Sequence, residues 1–223
     1  MNIIKLVIQA FFKKINKNYY SQFGEDRIII NEILNPNYRN GFYIDVGCFH
    51  PMKYSNTYLL HKKKNWNGIN IDIEVDKIKV FNIARPGDLN ICCPISDKKS
   101  KVKVVKRLKY AVNSLIRKGK KGEKNLIETK TLNEIIEKTK YKKREVDLLN
   151  IDTEGHDFKV LKSINLRKYK PKIIIIEAHE KEIKNILKSK LYKYLSKYKY
   201  ILRSWSFYSL IFILKNSKIT RNR

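Results

Sequence analysis

Between residues 42 and 177 short apolar runs recur, and each is followed closely by a glycine or an acid. Phe42-Tyr43-Ile44-Asp45-Val46 enters a turn at Gly47, and Gly68-Ile69-Asn70-Ile71-Asp72 stops on a carboxylate. Leu89–Cys93, Val146–Ile151 and Lys172–Glu177 follow, the last directly after Pro171. Runs this short and this continuously apolar predict strands covered on both faces, whereas half-exposed strands would alternate. Helical stretches separate them: Tyr54–Lys63, a segment from Asp72 to Phe81, Thr131–Lys138 and Phe158–Ile164. The alternation predicts an α/β fold, a doubly wound and mostly parallel sheet with helices on both faces. A helix over Glu182–Lys197 and two strands, Tyr200–Trp205 and Tyr208–Leu214, close the pattern. The short connection between those strands predicts an antiparallel C-terminal edge hairpin.

At 223 residues the chain has the length of one ordinary domain around a single core. We divide it into an amphipathic N-terminal helix over 1–20, a domain over 21–216 and a tail over 217–223. The domain carries a basic loop and hairpin at 98–124, with 12 basic residues against one acid, Glu123. In the first segment Ile3, Val7, Phe11 and Ile15 recur every four residues, with Lys5, Gln9, Lys13 and Lys17 on the other face. Such a helix, spanning residues 1–17, can lie on an anionic membrane or dock on its own domain. It lacks a small-residue cleavage site, and no apolar run approaches the ~20 residues needed to cross a membrane. Ser21-Gln22-Phe23-Gly24-Glu25-Asp26 then signals a helix start, and Asn35-Pro36-Asn37 a stop.

The formal charge of +28 favours acidic partners such as nucleic acid, anionic lipid or a phosphate-bearing substrate. Only 10 of the 49 basic residues are Arg, however, and Arg is the residue that reads phosphates and bases bidentately. Solvated lysine faces explain the composition better than a dedicated nucleic-acid reader. Cys48, Cys92 and Cys93 are too few for a disulfide framework or a zinc site. They read as small core residues in a reducing, cytoplasmic compartment.

In a doubly wound sheet, ligands bind outside the carboxyl ends of the strands, near the point where strand order reverses. Asp45 with Gly47, Asp72, Asp97, Asp152 through His156, and Glu177 with His179 all fall at such ends. Asp72 lies 25 residues after Gly47. A glycine where backbone meets ligand, then an acid accepting both ribose hydroxyls, is a nucleoside-binding arrangement. The competing reading is that both acids only cap turns. A single glycine, with Pro51 where a phosphate-cradling helix would begin, serves a pyrophosphate poorly. A nucleoside carrying an amino-acid tail fits better.

Residues from about 21 to 180 resemble the FkbM-type methyltransferase family. Ser21 through Asp26 matches the family's start, Asp45-Val46-Gly47-Cys48-Phe49-His50-Pro51 with Ser55-Asn56-Thr57 its cofactor turn, and Trp66 through Asp72 its second strand. Arg85-Pro86-Gly87-Asp88-Leu89-Asn90 matches the entry to the third strand, and Ile95-Ser96-Asp97 the turn after it. Asp152-Thr153-Glu154-Gly155-His156-Asp157 matches the D-x-E-G-H signature, and Pro171 through Glu177 the fifth strand. The resemblance implies the Rossmann-like class I methyltransferase fold and S-adenosylmethionine as donor. The family usually methylates a hydroxyl of a sugar or natural product, which suggests polysaccharide biosynthesis. Two departures stand out: Ile73-Glu74-Val75 replaces a frequent proline after the second-strand acid, and Gly87 replaces a common Arg.

On this resemblance Asp45, Gly47 and His50 are expected at the methionine end of the cofactor, Asp72 at the ribose, and Ser96 and Asp97 beside the adenine. His156 is the preferred base, because an unperturbed imidazole has a pKa of roughly 6.5; Glu154 or Asp152 would orient it or bind substrate hydroxyls. Alternatively the two acids contact the cofactor or cap the next helix while His156 only packs. Gln22, Glu25 and Asp26 form a lid over the site, or Ser21 caps a helix with Gly24 permitting the turn. A divalent metal among Asp152, Glu154, His156, Glu177 and His179 is compatible with the residue types, but no spacing demands it. The expected partner is a small-molecule or glycan acceptor, with peripheral contact to the inner face of the membrane through residues 1–17. Rival readings are a nucleic-acid methyltransferase and a non-catalytic polyanion-binding protein on the same fold. The tetrapeptide Asn35-Pro36-Asn37-Tyr38 differs at its third position from the Asn-Pro-Pro-Tyr of adenine methylases and is more simply a helix stop.

Overall fold

The computed structural model describes residues 19–106, 114–120 and 122–219, together with Ile4. The amphipathic helix expected over 1–20 lies almost wholly outside the described residues, as does the end of the tail, 220–223. Helix α1 (Glu25–Ile28) widens into a π-type turn over Ile29–Ile33, where Leu34 N–H donates to the Ile29 carbonyl at 2.7 Å. Then come β1 (Phe42–Val46), α2 (Tyr58–Lys64), β2 (Asn67–Asp72), α3 (Val75–Ala84) and β3 (Leu89–Cys92). Strands β4 (Lys101–Lys106), β5 (Ser114–Lys118) and β6 (Ile127–Glu128) make a separate three-stranded sheet in the order β5-β4-β6. Helix α4 (Leu132–Glu137), β7 (Leu148–Ile151), α5 (Asp157–Lys162), α6 (Leu166–Tyr169) and β8 (Ile173–Glu177) return to the main sheet. Helices α7 (Ile183–Lys188) and α8 (Lys190–Lys197) lead to β9 (Tyr200–Ser206) and β10 (Ser209–Leu214).

The main sheet has seven strands in the order β3-β2-β1-β7-β8-β10-β9. Strands β3, β2, β1, β7 and β8 run parallel, while β10 is antiparallel to β8 and to β9. This is the doubly wound, Rossmann-like arrangement with an antiparallel C-terminal edge. Strand order reverses between β1 and β7, where Val46 sits opposite Ile151. A crevice at the carboxyl ends of these two strands is the place where such a sheet takes a ligand.

Burial on both faces explains the continuously apolar strands. In β8, Ile174 and Ile176 join a core with Phe42, Ile44, Leu149 and Leu161, while Ile173 and Ile175 pack on the opposite side with Tyr43, Leu60 and Trp66. Successive side chains of a strand point to opposite faces, so only a strand covered twice can be isoleucine throughout. One expectation fails in detail: the helix over Glu182–Lys197 is two helices. Ser189 adopts an extended backbone between them, and its hydroxyl accepts the Tyr192 N–H at 3.1 Å, capping α8. Among the described residues no helix is long and apolar enough to cross a membrane.

At the amino ends of the strands the buried Asp147 ties three elements together. Its carboxylate accepts Phe42 N–H at 2.8 Å, the Tyr38 hydroxyl at 2.7 Å and Lys172 Nζ at 2.7 Å. Removing it strands a buried amide and weakens the hold on Lys172. We expect Asp147→Ala to lose roughly 2–4 kcal/mol of stability in urea unfolding. A loss below about 0.5 kcal/mol, the range of ordinary surface substitutions, would show that the three contacts contribute little.

Candidate active site

The turn after β1 is set by Gly47, whose φ of +82° suits glycine. A Cβ there would lie 1.7 Å from the carbonyl oxygen of Asp152. The turns after β1 and β7 therefore touch backbone to backbone, and Asp152 N–H donates to the Val46 carbonyl at 2.9 Å. Just before Gly47, the buried Asp45 accepts Thr57 Oγ1 on Oδ2 and Asn150 Nδ2 on Oδ1, both at 2.8 Å. Burial raises its pKa, while Asn150, Thr57 and the charge of Arg85 oppose the rise.

Arg85 is fully buried behind this turn. Its guanidinium donates to Thr57 Oγ1 at 2.9 Å, Ser55 Oγ at 3.0 Å, the Tyr43 hydroxyl at 3.1 Å and the Pro51 carbonyl. It fixes the 51–57 loop and, through Thr57, the Asp45 carboxylate. Nothing in the sequence singled this residue out beyond its place in a matching block. Asp72 closes β2 with one oxygen accepting Glu74 N–H at 2.9 Å and the other facing Lys77 Nζ at 3.3 Å.

A cavity of about 290 Å³ runs between these elements, with Asp45, Gly47 and Asp72 on one side and Asp152 and His156 on the other. Its far wall is apolar, made by Ile73, Cys93 and Ile95. Three expected contacts are absent from its lining. His50 is buried, and its Nδ1 accepts Met52 N–H and Lys53 N–H at 3.0 and 2.9 Å, so it shapes the turn around Pro51. Ser96 turns to His156 Nε2 at 3.0 Å, and Asp97 is drawn to Lys162 at 2.8 Å. The third-strand turn therefore contributes through the residues just before Ser96.

The turn from Asp152 to His156 is built by Asp157. Its carboxylate accepts Thr153 N–H, Thr153 Oγ1 and Gly155 N–H at 2.7, 3.0 and 3.0 Å, with Glu154 and Gly155 both at positive φ. His156 lines the cleft, but burial and the nearby Lys159 lower its pKa, so at neutral pH it is an uncharged ring. Asp152 is open to the cleft yet hemmed in by protein elsewhere. Burial, then the carboxylates of Asp157, Glu154, Asp45 and Glu25, push its pKa up to about 7. Glu177, at the end of β8, is pushed up to about 8 by burial and then by Asp152, Asp157 and Glu154. Carboxylate oxygens of Asp152, Glu154 and Glu177 lie within 4.8 Å of one another and could share a cation. His179 is engaged with Glu177 at 3.2 Å.

A second cavity, of about 190 Å³, adjoins the first. Gln22, Tyr54, Asn56, Asp152 and Glu154 border both, while Phe23, Glu25, Glu177 and Tyr208 belong to the second alone. Gln22 thus reaches the cleft. Glu25 accepts Phe23 N–H and the Ser209 hydroxyl at 2.9 and 2.8 Å, and Asp26 accepts Tyr20 N–H and the Ser21 hydroxyl at 2.7 and 2.6 Å. Gln22 and Glu25 border the cavities; the helix starts at Gly24, whose φ is +84° and which carries no side-chain cap, while Ser21 and Asp26 bond to each other.

The domain described as "Methyltransferase FkbM domain" matches residues 45–202, most of the chain. The protein belongs to the FkbM methyltransferase family. No curated protein matches the chain. In this FkbM domain the matched segment begins at Asp45 and takes in both Asp72 and the Asp152–His156 turn.

The raised acids make the FkbM domain's stability depend on pH, and the sign follows from linkage. Both folded-state pKa values, about 7 and about 8, lie above the ordinary carboxylate values of roughly 3.9–4.3. The folded state therefore binds more protons in this window. The resulting stability is complete below the unfolded values and is lost as pH rises through the folded ones. Melting temperature should fall between about pH 5.5 and pH 8.5, and Glu177→Gln, which cannot ionise, should flatten the curve. Parallel curves for the two proteins would mean that Glu177 titrates normally.

Proposed function

We propose that this methyltransferase uses S-adenosylmethionine to methylate a hydroxyl of a small-molecule or glycan acceptor. The observation that carries this reading is one cleft, bounded by Asp45, Gly47 and Asp72 on one side and Asp152 on the other, continuous with a second cavity. The cleft suits a phosphate-free nucleoside with an amino-acid tail. Its polar ends are carboxylates that would meet ribose hydroxyls and an ammonium, its far wall is apolar, and its cation, Lys77, is paired with acids. When bound, that donor supplies an electrophilic methyl group on a sulfonium.

Asp72 would accept the ribose hydroxyls and Asp45 would face the ammonium. Ile73, Cys93 and Ile95 would border the adenine, in place of Ser96 and Asp97. The second cavity would seat the acceptor, with Phe23, Tyr54 and Tyr208 offering ring faces and Asp152, Glu154 and Glu177 offering hydroxyl acceptors. We assign the proton to an oxygen of Asp152 rather than to His156. Asp152 borders both cavities and has a pKa of about 7, near the value at which a base is most effective. His156 borders the first cavity, and its Nε2 is engaged with Ser96. We further propose a glycan precursor held near the membrane as the acceptor. Its support is the sequence of residues 1–17 and the basic segment 98–124.

Calorimetry with the purified protein should give binding of S-adenosylmethionine, weakened about tenfold or more in Asp72→Asn. Against a panel of free hexoses and sugar nucleotides, read by mass gain, Asp152→Asn should lose about 10²–10⁴-fold in turnover with donor affinity kept within a few-fold. The wild-type rate should rise with pH through about 7 as Asp152 ionises. Failure of the wild-type protein to bind the donor would overturn the reading.

A further inference from the structure

We infer that Lys77 is a positioning residue of the donor site, holding the Asp72 carboxylate ionised and aimed so that it can read the ribose. This deepens the proposed function and rests on it. The chain is dense in lysine, and most of its lysines are solvated; among the described residues only Lys64 and Lys77 are buried. Lys77 lies on α3, one turn after the acid that ends β2, and its side chain borders the cleft.

The geometry separates this role from direct ligand contact. An ammonium has three N–H donors. That of Lys77 donates to Asp72 Oδ2 at 3.3 Å, pairs with the Glu74 carboxylate at 2.9 Å and lies over the face of Phe49, whose centroid is 5.2 Å away. The ammonium is thus held among groups of the protein itself. On the carboxylate, one oxygen takes Glu74 N–H and the other takes Lys77. Each carboxylate oxygen has two lone-pair sites, so both oxygens keep one for an incoming hydroxyl. Backbone and lysine together fix the plane of the group and leave it able to accept two donors.

The same pair fixes its charge. Asp72 is 5% exposed, and burial alone favours the neutral acid. The groups that act on it come from several elements: Asp45 on β1, Cys48 in the turn after it, Glu74 beside α3 and Cys92 on β3. Burial raises the Asp72 pKa and the Glu74 charge adds to the rise; the charge of Lys77 is the largest influence opposing it, with the Glu74 N–H beside it. Without Lys77, Asp72 and Glu74 would face each other buried and unbalanced, and one would take up a proton. A protonated Asp72 offers a hydrogen to one ribose hydroxyl and loses half of its acceptor capacity.

The test is calorimetric titration of S-adenosylmethionine and of its demethylated product into wild-type, Lys77→Met, Lys77→Arg and Asp72→Asn proteins, each first checked for a wild-type-like circular dichroism spectrum. At about pH 7, Lys77→Met should bind both ligands about tenfold more weakly or worse. That loss should shrink toward about pH 9, as Asp72 ionises. Lys77→Arg, which keeps the charge, should stay within a few-fold of wild type. Asp72→Asn should be weak at every pH. Wild-type affinity in Lys77→Met, or a loss that pH does not relieve, would overturn the inference. If Lys77→Met does not fold, the decision falls to Lys77→Arg and the double variant Lys77→Met/Glu74→Gln, which removes the competing acid. Weak binding by both would overturn the inference. Absence of binding by the wild-type protein would instead count against the donor assignment itself.

Discussion

The molecule is organised by the contact between Gly47 and the carbonyl of Asp152. Two adjacent parallel strands end in turns so close that one of them has no room for a side chain. Because β1 leads outward to β2 and β3 while β7 leads to β8 on the other side, the chain diverges at this contact and opens a crevice above it. Asp45 and Asp72 face it from one direction and Asp152 from the other. Their approach is a consequence of parallel pairing between Val46 and Ile151, not of any attraction among acids, which repel.

That repulsion explains why the interior holds the cations it does. Arg85 is buried with four acceptors on its guanidinium, none of them a carboxylate. It acts on Asp45 at one remove, through Thr57. Lys77 meets its acids directly. On the β7–β8 side, the described residues that line the second cavity include neither Lys nor Arg. Burial raises the pKa of all four acids, but on the β1–β2 side cations and hydrogen bonds oppose the rise, while Asp152 and Glu177 are pushed up to about 7 and about 8. The formal charge of +28 is therefore a poor guide to the field inside the cleft, which the described lining makes acidic.

The strand pattern carried most of the fold, because a strand buried on both faces leaves a signature no helix of that length imitates. Ile173–Ile176 is the clearest case: each face of the sheet takes alternate members of one run. Asp45, Gly47 and Asp72 were legible for a related reason, since strand ends are recognisable where an apolar run stops. Positions in turns were harder. Ser96 and Asp97 follow a strand, but whether a side chain enters the cleft depends on the pull of partners distant in sequence, His156 and Lys162. His50 shows the same difficulty, because an imidazole accepting two backbone amides looks the same in sequence as one reaching a ligand. Lys77 and Arg85 did not stand out in the sequence, since only burial distinguishes them from most other basic residues. The division at Ser189 came from a hydroxyl competing for a backbone amide, which helical periodicity does not register.

The choice of Asp152 over His156 follows from how their shared turn is made. Asp157 accepts the amides of Thr153 and Gly155, and its charge adds to that of the other acids near Asp152. Burial first, and then the charges of Asp157, Glu154, Asp45 and Glu25, raise the proton affinity of Asp152. His156 meets the opposite circumstance: burial and Lys159 lower its pKa, and Ser96 engages its ring. Asp157 thus builds the loop and, through its charge, adds to the burial that makes Asp152 a stronger base than an aspartate in water. A neutral residue at position 157 would remove one of the charges that raise Asp152 as well as the acceptor that holds the turn, so the structural and the chemical parts of the D-x-E-G-H-D segment are not separable.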